Sequence, residues 1–269
     1  MVFQETILVT DAAINAETDA LEIVAGSGAT LTTRTGYGRP KILAAAAWCS
    51  TNDVGRVTIH PSGYADANGI PVPLVGLYAA TSSFRLADAK LCVPVELPEN
   101  CALTMNATSE TAAGTVVYGW ILLEYPSGGK MQPIMSGPGY VRRAWEHGAA
   151  LGSQVQAAST AITDLSAGTM YQPGGVGNVG VNGATAGIIG PAFIRFTNPE
   201  MEGANLWIPL CNNAGYCAGL GKGIVKFSDV GIKMPVFAGG TNFTTACIGY
   251  TAEQPQGEIE FVVNKKLFP

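Results

Sequence analysis

A paired stretch that occurs twice constrains this chain more than any other feature. Residues 91–125 read LCVPVELPENCALTMNATSETAAGTVVYGWILLEY, and residues 232–266 read IKMPVFAGGTNFTTACIGYTAEQPQGEIEFVVNKK. Val93-Pro94-Val95 aligns with Met234-Pro235-Val236, 141 residues on, and Gly114 aligns with Gly257, 143 residues on. Each glycine is followed by a strand-like run: Val116, Val117, Tyr118, Trp120 and Ile121 in one, Ile259, Phe261, Val262 and Val263 in the other. A spacing this long is not a solenoid repeat of roughly 20 to 50 residues. It points to two related domains that end in the same pair of strands. The alternative is a chance match between two β-rich stretches.

The rest of the chain favours short strands. Lys41–Cys49, KILAAAAWC, is a nearly continuous apolar run between Pro40 and a turn cluster at 50–55, which suits a buried strand. Gly55–Pro61 alternates, with Val57 and Ile59 on one face and Arg56, Thr58 and His60 on the other. Residues 5–14, 20–24, 30–33 and 75–78 are further candidate strands, and 81–90 a short helix capped by Ser82 or Ser83. Segment 126–139, PSGGKMQPIMSGPG, is the strongest linker signal. After it, Val141, Trp145, Leu151, Val155, Ala158 and Ile162 recur near the helical period, which predicts a helix over 140–165. The following segment, 166–190, carries so much glycine that it reads as an exposed or interface-wrapping loop. Residues 191–196, 205–211 and 223–227 complete the candidate strands.

Short strands with intervening turns and no parallel βα alternation mean sandwich or barrel. An eight-stranded jelly roll fits the first half in length and strand count. The second half is short of strands unless the Gly-rich segment hides one or two. The expectation is therefore all-β: two jelly-roll β-sandwiches in tandem with a helix near the join. The first domain covers 1–137; the second, 138–269, holds the linking helix, the Gly-rich segment and the second sandwich.

Charged residues make up 13% of the chain against 47% hydrophobic, with 34 Gly. Roughly 25% charged is usual for a globular domain. A sparsely charged surface suits subunits packed against neighbours. The net charge of −5, with no Lys/Arg run longer than a pair (Arg142-Arg143 and Lys265-Lys266), offers no basic stripe. Direct nucleic-acid contact is therefore not expected. MVFQETILVTDAA lacks a basic n-region and a long apolar h-region, so no secretory leader is predicted. No apolar run reaches the ~18–20 residues of a membrane span. Without a leader, the six cysteines read as buried small side chains, with Cys211 and Cys217 the one pair to watch.

No constellation for chemistry emerges. His60 and His147 have neither a G-x-S-x-G elbow nor an H-E-x-x-H motif to work with. Gly175-Val-Gly177-Asn-Val-Gly180 matches G-x-G-x-x-G by letters only, and Gly219-Leu-Gly221-Lys222-Gly223 lacks the Ser/Thr that would hold magnesium. Glu96 with Glu99, and Glu258 with Glu260, are the carboxylate pairs a glycosidase could use, though paired carboxylates on a strand are more often plain surface. Asp66-Ala-Asn68-Gly69 is a calcium-loop fragment without the distal glutamate, and Asn106 and Asn242 head glycosylation sequons. Catalytic, cofactor-binding and metal-ligating residues are thus none, no cofactor is expected, and the chain reads as a non-enzyme.

At the paired stretches, 102–106 with 116–123 and 243–250 with 259–263, the chain resembles the double-jelly-roll capsid proteins of icosahedral viruses. That resemblance implies a homotrimer with a pseudo-sixfold outline that tiles a shell, often over an internal membrane. Its partners would be itself, neighbouring capsomers and minor capsid proteins; its location, the virion, after synthesis in the host cytoplasm. The short second half and the helix at the join depart from that pattern. The alternative is a carbohydrate-binding or adhesive β-sandwich, such as a spike or tail component, with Trp207 and Tyr216 as groove aromatics.

Overall fold

The computed structural model describes residues 1–11, 19–20, 22–23, 27–49, 55–63, 75–79, 89–109, 117–137, 139–146, 160–182, 192–201, 205–209, 225–249 and 254–264. The described part is all-β. Its first group of strands is β1 (Phe3–Asp11), β2 (Asp19–Ala20), β3 (Glu22–Ile23), β4 (Lys41–Cys49), β5 (Gly55–Pro61), β6 (Val75–Ala79), β7 (Lys90–Glu96), β8 (Leu103–Ser109) and β9 (Val117–Tyr125). The second is β10 (Gly139–Glu146), β11 (Thr160–Ile162), β12 (Met170–Asn182), β13 (Ala192–Thr197), β14 (Trp207–Pro209), β15 (Val225–Lys226), β16 (Phe237–Ala238), β17 (Phe243–Gly249) and β18 (Gln254–Asn264).

These strands form four antiparallel sheets, ordered β3-β1-β9-β4-β7 and β2-β8-β5-β6 in the first half, β10-β18-β12-β15 and β11-β17-β13-β14 in the second. Take β2 and β3 as one interrupted second strand, and β15 and β16 as one interrupted sixth. Each half then has eight positions in chain order, arranged first-eighth-third-sixth in one sheet and second-seventh-fourth-fifth in the other. An eight-stranded, two-sheet closure of this kind is a jelly roll, and the chain contains it twice.

Register makes the repeat specific. At the start of each third strand, Lys41 pairs with Glu124 and Glu96, and Met170 pairs with Asn264 and Ala238. On that frame Pro94 of β7 corresponds to Val236, one residue from Pro235. The recurring doublet of the sequence is the seventh and eighth strands of each half. Gly257 lies within β18; Gly114 lies outside the described residues.

Each sandwich has its own core. In the first, Phe3, Ile7, Val9, Ile42, Ala45, Ile121 and Leu123 face Val57, Ile59, Leu103 and Met105 of the opposing sheet. In the second, Tyr171, Ile259 and Phe261 meet Ile194, Phe196 and Phe243. Phe237 stacks on Phe243 at 5.0 Å between ring centroids, and Phe243 meets Phe261 edge-on at 5.2 Å.

Two expectations need correction. Where a helix was expected over 140–165, β10 and β11 stand, and 147–159 lie outside the described residues. The period of four through Val141 and Trp145 is also a period of two through Val141, Arg143 and Trp145. Pairing of β10 with β18 over eight residues selects the latter. Trp145 is buried as expected, but from a strand: its ring lies so close to Gly257 that an added Cβ there would be 2.9 Å from Cζ2.

The Gly-rich segment is not a loop over 170–182, and 183–190 lie outside the described residues. It holds β12, thirteen residues long, flanked by β18 on one side and by β15 and β16 on the other. This is the strand the second half lacked on paper. Register shifts at Pro173/Gly175 and Gly177/Gly180 show why glycine is used: a bulged strand must bend and leave residues unpaired. Residues 171–177 are buried throughout. A strand buried on both faces needs no alternation, so the sequence gives no period-two signal there.

Candidate functional site

The most elaborate polar construction among the described residues joins the two halves. β1, β4 and β9 alternate: odd-side residues such as Ile7 and Ile121 enter the first core, while Leu8, Ala44, Ala46, Trp120 and Leu122 belong to the cluster that also contains the second half's core. This explains the run KILAAAAWC, whose four alanines at 44–47 are all buried. A sheet covered on both faces reads as continuous apolar sequence, and alanine lets the second layer approach closely.

The layer that arrives is the end of the second sandwich near β14. The Thr6 N–H and hydroxyl both donate to the carbonyl of Asn205 (2.7 and 3.0 Å), and the Trp207 N–H donates back to Thr6 Oγ1 at 2.7 Å. Trp120 Nε1 donates to the Trp207 carbonyl at 2.8 Å, and Trp207 Nε1 to the Ser27 carbonyl at 2.8 Å. Nearby, Gln4 Nε2 donates to Glu124 Oε2 and to the Gly231 carbonyl, both at 2.8 Å, and Gln4 Oε1 accepts from the Lys233 N–H at 2.7 Å. Lys233 Nζ closes the group on Glu124 Oε2 at 2.8 Å. Gly231 ends the 3-10 turn Phe227–Val230 at φ 83°, a left-handed conformation that favours glycine and presents this carbonyl. Buried polar groups satisfied in this way fix one relative placement of two bodies.

Trp207 is therefore not an exposed groove aromatic. It is fully buried, with the Arg195 guanidinium 4.8 Å above its ring; burial lowers the pKa of Arg195. Tyr216, the other aromatic of that reading, lies outside the described residues. Sequence reasoning could not have seen this role, because the hydrogen-bond partners of Trp207 lie 87, 180 and 201 residues away in the chain.

The residues weighed for chemistry do not converge. His60 Nε2 lies 2.9 Å from Thr58 Oγ1 on the outer face of β5. Glu96 is exposed and paired with Arg39 at 3.2 Å, while Glu99 accepts from the backbone N–H groups of Gly36 and Gly38 and so caps a turn. Glu258 and Glu260 share a face of β18, with Glu260 bonded to Arg142 Nε at 3.1 Å. Gly175 to Gly180 lies inside β12, antiparallel to β18, with no strand-to-helix turn to hold a phosphate. Asn106 sits in β8, and the Asn242 carbonyl accepts from Asn198. His147, Asp66–Gly69, Cys211, Cys217 and 219–223 lie outside the described residues. Among the described residues no three His, Cys, Asp or Glu side chains gather as a metal site.

Among the described residues, a buried acidic side chain was missed from sequence: Glu5. Its carboxylate accepts from Arg34 Nε and Nη2 (2.8 Å each) and from the Tyr125 hydroxyl (2.8 Å), and Arg34 lies 4.8 Å above the Phe3 ring. Burial, then the Glu5 charge, push the Tyr125 hydroxyl well above the ordinary tyrosine range. Burial lowers the Arg34 pKa, but Glu5 outweighs it and the net direction is upward. Every strong donor in reach is already on the carboxylate, so the group locks the first core rather than offering a reactive centre.

No family model matches the chain, and no curated protein matches it. Among solved structures it is similar to the STIV MCP, with 12% identity, 97% of each chain covered and a TM-score of 0.27. It is also similar to the major capsid protein P2 from bacteriophage PM2, with 10% identity, 97% of each chain covered and a TM-score of 0.23. A structure described as the triple jelly roll fold and turret assembly in an archaeal virus is matched with 9% identity, over 97% of this chain and 79% of that one, at a TM-score of 0.20. The strand order, not these scores, carries the jelly-roll assignment.

Proposed function

We propose that the chain is a structural protein, the major capsid subunit of an icosahedral virus, self-assembling as trimers and acting without catalysis. The observation that carries this reading is the duplicated jelly roll locked through a sheet buried on both faces. Two sandwiches held at one placement make a rigid building block with two similar faces, which is what a tiled shell requires. Low charge supports the reading, since permanent interfaces are more apolar than ordinary surface. The units divide at 137/138, the partners are further copies and minor capsid proteins, and the location is the virion, with an internal membrane beneath the shell as an option. The test is sedimentation of the purified chain over a range of concentrations, followed by electron microscopy. Trimers and larger closed particles are expected. A chain that stays monomeric at high concentration and binds a glycan overturns the reading.

A further inference from the structure

The cluster around Gln4 brings an amine, a carboxylate and a carboxamide into one chain of contacts. Gln4 and Glu124 face each other across the β1–β9 pair, and Lys233 reaches them from the segment after the 3-10 turn, 229 residues from Gln4. Gln4 is fully buried, and the Glu124 and Lys233 side chains are mostly buried. A single oxygen, Glu124 Oε2, lies 2.8 Å from Lys233 Nζ and 2.8 Å from Gln4 Nε2. Gln4 Oε1 accepts from the Lys233 N–H at 2.7 Å, and Nε2 also donates to the Gly231 carbonyl at 2.8 Å. A polar pin between the halves needs only that the carboxamide find partners. Here the acceptor on its nitrogen also holds an amine, and an N–H is already aimed at its oxygen.

We propose that Lys233 and Gln4 join in an intramolecular isopeptide bond, with Glu124 carrying the proton between them and ammonia leaving. The Lys233 ammonium passes a proton to Glu124, and the freed lone pair on Nζ adds to Gln4 Cδ. The carbonyl electron pair moves onto Oε1, where the Lys233 N–H stabilises the developing charge. Glu124 returns its proton to Nε2, which leaves with the C–N electron pair as ammonia. The surplus proton on the new amide passes to that ammonia. An ammonium and a primary amide thus become a secondary amide and an ammonium ion, with no oxidant, reductant or co-reactant. Holding nucleophile and amide on one oxygen supplies the proximity, and burial of Gln4 keeps competing water from its acyl carbon. The reaction is a single turnover within one chain, so it stands apart from the assembly reading. The bond would tie β1 to the segment 231–233 of the second half.

The test is the mass of the intact wild-type chain in denaturant, after it has been held folded at neutral pH, followed by peptide mapping. The expected mass is below that of the sequence by one ammonia, with a branched peptide joining residue 4 to residue 233. Lys233→Arg keeps the positive charge on a guanidinium that stays protonated. Glu124→Gln keeps an acceptor oxygen but cannot carry the proton. Both variants should retain the full mass, and thermal melting of each shows whether it is folded. Because the wild-type chain is read by itself, a variant that fails to fold leaves the test intact. Wild type at its full mass overturns the proposal, as does a lost ammonia that maps to another residue. Linking in Glu124→Gln at the wild-type rate overturns the role given to Glu124.

Discussion

Leu8 and Trp120 lie between two sandwiches, whereas Arg142 and Glu260 hold the same register in the second half and meet as an ion pair whose arginine is exposed. The backbone frame is shared: a first strand paired to an eighth, and an eighth to a third. The side chains differ with what lies above them. Where a second layer arrives, the sheet carries Leu, Trp and alanine, with Thr6 and Gln4 as polar pins; where the described residues bring no second sandwich, it carries Tyr, Arg and Glu. Duplicated topology thus repeats the frame, and the residues on each face follow what packs against it.

A graded series of changes breaks or sharpens that comparison. The largest effect is expected from deleting 174–183, which removes most of β12 and with it the pairing partner of β15 and much of β18. The second sandwich should fail to fold, seen as loss of the cooperative transition; a soluble, cooperatively melting product would show that β12 is dispensable. Next, Trp120→Ala should cost about 3–5 kcal/mol in denaturant unfolding, from the cavity and from the Trp207 carbonyl left without its donor. Leu8→Ala should cost about 2–5 kcal/mol. Trp145→Ala, buried in the second core, serves as a reference of about 3–5 kcal/mol that does not involve the join.

A gentler change is pH. Tyr125 is held above the ordinary tyrosine range in the folded state, first by burial and then by Glu5. Its contribution to stability is therefore complete below about pH 10, where a free tyrosine titrates, and declines as pH rises beyond that. Denaturant midpoints measured from pH 8 to 11 should fall at the alkaline end, and a flat profile would remove Tyr125 from the account. The smallest effect is Arg142→Ala, at the register of Leu8 but exposed: about 1 kcal/mol or less in the isolated chain. A loss as large as that of Leu8→Ala would show that the two faces are not different environments.

What the sequence disclosed follows the same physics. Lys41–Cys49 and Gly55–Pro61 were legible to the residue, because a two-faced burial leaves an unbroken apolar run and a one-faced burial leaves alternation. The recurring doublet was legible as architecture, although its marker glycines are not the register that aligns the halves. β10 was misread because Val141 and Trp145 satisfy both periods, and only the partner strand β18 breaks the tie. β12 was invisible: glycine or proline stands at 173–175, 177 and 180, and its strand character comes from pairing on both edges. The polar pins between halves were beyond reach for a different reason. Gln4, Thr6 and Trp207 carry no local signal, and their partnerships exist only once residues some 200 positions apart meet.

The doubly buried sheet also sets a timetable. The first sandwich has all its strands once Tyr125 has been made, but the residues that cap its outer face begin at Asn205. About 80 residues separate the two, roughly 4 to 16 s of synthesis at ~5–20 residues per second. Until then Leu8, Ala44, Ala46, Trp120 and Leu122 have no second-half residues to pack against. A first half that folds as it is made would expose this surface until the second half arrives, and correct folding would then depend on how quickly it does.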